Sequence, residues 1–101
     1  MITIDKLQNS DFLPFLHQFF KVRLDGEDVF DLQLVSVAEF GPNSMKGARK
    51  PFSLQFLGPV SRQYLQQHTY CFEHANFGVL ELFIVPLGPE AGRMRYEAIF
   101  S

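Results

Sequence analysis

The sequence predicts an all-β fold: a compact antiparallel six-stranded barrel or two-layer sandwich with one short N-terminal helix. Three observations lead there. The 101 residues include twelve Phe and three Tyr but no Trp, a choice that favours pleated, half-buried surfaces over helix. Several stretches alternate apolar and polar side chains with period two, which sorts them onto opposite faces of a strand. Between these stretches stand Asp-Gly and Gly-Pro pairs, which favour turns. At this length, with 47% hydrophobic and 20% charged residues, the chain is expected to fold as a single β domain over 1–101.

The elements follow in order. Asn9-Ser10-Asp11 can cap a helix by accepting backbone N–H bonds, and Pro14 is tolerated in a first turn, so a short helix is expected over 10–17. Its spacing lays Phe12, Phe15 and Leu16 over an open edge or end of the sheet. From Gln18 to Leu24, Phe20, Val22 and Leu24 alternate with Lys21 and Arg23, giving a first strand. Asp25-Gly26-Glu27-Asp28 is a hairpin signal, and a second strand begins near Val29. There Phe30, Leu32 and Leu34 share one parity and Val35 and Val37 the other, so either a bulge shifts the register near Leu34 or both faces are covered. Gly41-Pro42-Asn43-Ser44 ends this strand, and 41–51 reads as an exposed loop.

Phe52, Leu54 and Phe56 point inward on a third strand, Phe52 to Leu57, which Gly58-Pro59 is expected to halt. Val60 to His68 is polar without period two and reads as loop. Thr69 to His74 and Val79 to Pro86 form a second hairpin around Ala75-Asn76-Phe77-Gly78. The run Val79 to Val85 has only one charge, Glu81, which predicts a strand in the sheet's middle, covered on both faces and best protected of all. A further Gly-Pro turn is expected at Gly88-Pro89, and Met94 to Phe100 closes the chain.

Composition excludes several roles. No apolar run reaches the ~18 residues of a membrane span, and Met1 to Ser10 lacks the layout of a secretory signal, so a cytoplasmic protein without membrane contact is expected. Cys71, the single cysteine, excludes an internal disulfide, and three histidines leave little for zinc, so no metal and no cofactor are expected. The net charge of −2 is divided evenly between the halves, and nucleic acid is not an expected partner.

Specific blocks carry a family likeness. Gly47-Ala48-Arg49-Lys50-Pro51-Phe52-Ser53-Leu54, Gly58-Pro59, Thr69-Tyr70, Glu73-His74, the strand Leu80 to Gly88 and Tyr96-Glu97-Ala98-Ile99-Phe100 resemble a small bacterial domain family of unknown function. The resemblance spans almost the whole chain. The family pattern has Gly where this chain has His17, a departure at the turn between helix and first strand. Similar domains are often encoded beside phage tail-collar-like proteins, so the resemblance implies an accessory role in a phage-tail-like or surface assembly.

The residues offer no catalytic signature. Cys71 and His74 have metal-like spacing, but a three-residue offset on a strand sends them to opposite faces, and Cys71 as nucleophile needs convergent partners. His68 and His74 share parity; with Glu73 or Glu97 nearby they form either a polar pocket or two ordinary surface histidines. Glu73, Glu81 and Glu97 face one cleft only in a chosen register. Glu81 is expected in a cross-strand ion pair with Arg93 or Arg95, and Tyr64 and Tyr70, able to stack a sugar or base, are expected in the core.

Two charge clusters remain: acidic Asp25, Glu27, Asp28 and Asp31, and the basic loop Met45 to Lys50. Such complementary patches suit self-association or docking of a protein partner, and the partner-binding residues are expected to be Lys46, Arg49 and Lys50. The expected function is a non-catalytic binding or assembly module. The alternatives are a small-ligand-binding β-barrel, with a cavity inside, and an enzyme of unrecognised type.

Overall fold

A computed structural model of the chain describes residues 6–24, 29–40 and 50–100. Six antiparallel strands, β1 (Phe19–Arg23), β2 (Val29–Glu39), β3 (Phe52–Val60), β4 (His68–His74), β5 (Gly78–Glu90) and β6 (Arg93–Phe100), close into a barrel in the order β1-β2-β3-β6-β5-β4. Of the two predicted forms, the barrel is therefore the one adopted. Its seam is short: β1 meets β4 through Lys21↔Glu73, Val22↔Phe72 and Arg23↔Cys71. The predicted turn at 25–28 and most of the predicted loop 41–51 lie outside the described residues.

Period two decides what enters the barrel. Phe20, Val22, Leu32, Leu34, Phe52, Leu54, Phe56, Phe72, Leu80, Ile84 and Tyr96 are almost wholly buried, and their strand neighbours face outward. The two readings of the second strand resolve to the bulge. Its pairing with β3 shifts register between Leu34 and Ser36, so both Leu34 and Val37 turn toward the core.

Three Gly and Pro positions behave differently from expectation. Gly58-Pro59 does not halt the third strand, which runs on to Val60. Both residues sit where the β3–β6 register shifts, so Pro59 costs no ladder bond there. A Cβ at Gly58 would lie only 3.4 Å from the Tyr96 ring, and Arg93 Nε donates to the Gly58 carbonyl at 2.7 Å. Gly88-Pro89 is likewise not a turn. It lies within β5, with Gly88 at φ 137 in a register shift, and the chain reverses instead at Ala91-Gly92, with φ 51 and 80. Pro86 and Pro89 fall beyond Ile84, where the pairing with β4 has ended, so their missing N–H groups face no strand on that side.

β5 is also not covered on both faces. Leu80, Leu82 and Ile84 point inward while Glu81 and Phe83 are exposed, because closure into a barrel buries one face only.

Two plugs close the barrel. At one end α1 (Asn9–Phe12) passes into a 3₁₀ turn (Leu13–Phe15), shorter than the single helix expected over 10–17. Pro14 supplies no amide N–H for continued α-helical bonding. Asp11 Oδ2 accepts the Gln8 N–H at 2.8 Å, fixing the helix start. The fully buried Phe12 ring packs 4.9 Å from Phe77, 5.5 Å from Phe100 and 5.9 Å from Phe52. At the other end the segment 61–67 crosses from β3 to β4. Leu65 fills that mouth, and its N–H donates to the buried Tyr96 hydroxyl at 2.7 Å.

Candidate functional site

Function has to be sought on the outside, since the inward positions are occupied by Phe, Leu, Val, Ile and Tyr side chains. These side chains pack into one apolar cluster, and apart from the Tyr96 hydroxyl no polar or charged side chain is buried among the described residues. On the outer wall, Phe83 of β5 is 51% exposed and Ile99 of the neighbouring β6 is 61% exposed. Phe83 stands opposite Thr69, and Ile99 opposite Ser53, which in turn stands opposite Ala38. None of these five outward residues carries a charge.

The charged residues next to this wall are tied to one another. Arg95 Nε donates to Glu90 Oε2 at 2.9 Å, a second guanidinium nitrogen contacts the same oxygen, and Arg95 Nη1 donates to Gln55 Oε1 at 2.8 Å. Gln55 in turn donates to Glu97 at 3.4 Å. Arg93 holds Gly58 and reaches Gln33, whose Nε2 donates to the His17 carbonyl at 3.1 Å. The expected pairing of Glu81 with Arg93 or Arg95 is therefore not made. Glu81 is exposed opposite Cys71, on the β4 side of β5, while both arginines lie on β6 and pair elsewhere.

The other candidates separate. His74 sits beside Phe15 and Phe20 at the helix end; its Nδ1 accepts the Asn76 and Phe77 N–H groups at 3.0 and 3.2 Å, so the ring proton lies on Nε2, which meets Gln18 Oε1 at 2.6 Å. His68 lies at the opposite end of β4 against Tyr70, so the two histidines share no pocket. Glu73 binds Arg23 across the seam at 2.6 Å, and Glu97 belongs to the Gln55 chain, so the three acids do not face one cleft. Among the described residues, no group of three His, Cys, Asp or Glu is placed to hold a metal ion.

Tyr64 is not in the core as expected, while Tyr70 packs against the core from its margin. Tyr64 is 54% exposed and Tyr70 half-buried, its hydroxyl donating to the Gln66 carbonyl at 2.9 Å, whereas Tyr96 is the tyrosine inside. The crossover that carries Tyr64 was featureless to period-two reading because a loop has no strand parity. Its signal was composition: Arg62-Gln63-Tyr64-Leu65-Gln66-Gln67, one apolar anchor among exposed amide, aromatic and basic side chains. Burial pushes the Tyr96 hydroxyl above the ordinary phenol range, opposed by the Leu65 N–H and reinforced by the nearby Tyr70 and Tyr64.

Of the predicted contact loop, Lys46 and Arg49 lie outside the described residues. Lys50 is partly exposed and enters β3 through Pro51, whose carbonyl accepts the Phe40 N–H at 3.0 Å. No helix among the described residues is long and apolar enough to cross a membrane. The chain matches a family model described as a domain of unknown function (DUF6916) over residues 7–100. Comparison with curated proteins and with solved structures finds no match.

Proposed function

Because the chain belongs to the DUF6916 family, whose description states no activity, we propose from its own residues that it is a non-catalytic binding or assembly module. The observation that carries this reading is the pairing of a filled barrel with exposed Phe83 and Ile99 on neighbouring strands of its outer wall. Exposed large apolar side chains gathered on one face favour association, because burying them against a partner removes apolar surface from water.

The basic loop supplies the polar part of the same contact. Lys50, three residues before Ser53, the residue opposite Ile99, lies next to the uncharged wall, and in this reading Lys46, Arg49 and Lys50 together steer an acidic partner or a second copy toward it. An accessory place in a phage-tail-like or surface assembly is one specific form of this reading, and a cytoplasmic site of assembly accompanies it.

The test pairs two double variants. Arg49→Glu with Lys50→Glu, and Phe83→Ser with Ile99→Ser, should each leave the melting temperature nearly unchanged. Both should weaken self-association in sedimentation velocity or capture of a partner from the cell of origin, and the wild-type contact should weaken with salt. Undiminished association in both variants would overturn the reading.

A further inference from the structure

The end of the barrel remote from the helix differs in character from the outer wall. Three adjoining depressions follow the 61–67 crossover, of about 540, 430 and 270 Å³. The first, lined in part by Tyr70, shares Leu24 and Gln66 with the second. The second shares Arg62 and Tyr64 with the third, which reaches Pro89. Together they form one continuous groove across the barrel mouth.

Its floor is fixed and its walls are free. Leu65 is buried, with its N–H held by Tyr96, and the Tyr70 hydroxyl holds the Gln66 carbonyl, so the crossover is pinned at two consecutive residues. Around these anchors, the side-chain amides of Gln63, Gln66 and Gln67 have no hydrogen-bond partner among the described residues, and Arg62 makes no ion pair among them. Each carboxamide offers two donors and an acceptor, and Tyr64 presents a largely exposed ring.

We infer that this groove binds a neutral oligosaccharide chain. A pyranose has an apolar C–H face that stacks on a tyrosine ring and a rim of hydroxyls that both donate and accept, which carboxamides match. Among the described lining residues, Arg23 is already engaged by Glu73 and Arg62 is the one cation without an ion pair, which suits a neutral ligand. Strand addition by an extended peptide needs an open sheet edge, and the barrel closes its ring of strands. This inference goes beyond the assembly reading and does not depend on it, since Lys50 lies before the start of β3 and the crossover that carries the groove follows its end.

The experiment is an amide chemical-shift titration of the folded chain with linear hexasaccharides of glucose, N-acetylglucosamine, xylose and mannose, and with an unstructured glycine-serine peptide of similar length. Binding by at least one sugar, with shifts centred on 62–70, is expected. Tyr64→Ala and Gln66→Ala, both at exposed side chains, should each weaken that binding about tenfold without changing the melting temperature. Arg49→Glu with Lys50→Glu should leave it intact, so loss of protein association and loss of sugar binding are read separately. Silence with all four sugars, shifts centred elsewhere, affinity unchanged in Tyr64→Ala, or a response to the peptide alone would overturn the inference.

Discussion

His17 holds a left-handed backbone, φ 74, which a side chain with a Cβ adopts at a cost. It is kept there by its N–H, donated to the Leu34 carbonyl at 2.6 Å, and by Gln33 on its own carbonyl. The turn between the helix end and β1 is thus made without Gly, under strain. His17→Gly should raise stability by about 0.5–1 kcal/mol in urea denaturation while His17→Ala gives no such gain; equal effects would show that the strain is absent. Phe56 and Gln55 test the facing of the third strand. Phe56 is fully buried and Gln55 faces outward, so Phe56→Ala should cost ~3–5 kcal/mol and Gln55→Ala under about 1 kcal/mol, with similar losses rejecting the assignment. Tyr96 sets a pH dependence. Its hydroxyl ionises at higher pH folded than unfolded, so its contribution is complete below the unfolded value of about 10 and is lost as pH rises through the raised folded value. Wild type should therefore lose stability more steeply than Tyr96→Phe above about pH 10. A constant difference between the two proteins would refute this.

Among the strands, protection follows pairing on both sides. β3 is registered with both β2 and β6 over 52–57, whereas β5 is registered with β4 over 78–84 and with β6 only over 85–90. β3 is therefore the central strand that the apolar run of β5 was expected to be. Native-state hydrogen exchange should be slowest at Leu54 to Phe56 and faster at the three-pair β1–β4 seam. Slowest exchange in β5 would contradict this ranking. The Arg23–Glu73 ion pair across the seam is too exposed to alter the order, worth at most about 1 kcal/mol.

For the molecule as a whole, the ring of strands is closed by two apolar plugs, Phe12 at one end and Leu65 at the other. Circular dichroism should be mainly β, and a chelator should leave the melting transition unmoved, since the described residues bring no metal-binding trio together. A transition that collapses on chelation would mean that the ring does not hold itself.

Legibility in the sequence followed the range of the interaction. Alternation is local, so the inward sets of β1 and β3 and the helix start were readable from Phe20-Lys21-Val22, Phe52-Ser53-Leu54 and Asn9-Ser10-Asp11, and the change of parity after Leu34 offered the bulge as one of two readings. What local patterning does not carry is which strand neighbours which. Closure of β1 on β4, the double pairing of β3 and the separation of Glu81 from both arginines are long-range outcomes, decided only when the ring formed. The same limit applies to Gly and Pro. Gly58-Pro59 and Gly88-Pro89 look like turns in isolation, yet each falls where a register shift or a missing neighbour removes the demand for an amide N–H. Tyr64 shows the limit most plainly: its exposure depends on Leu65 filling the barrel mouth beneath it, and that mouth exists only in the tertiary structure.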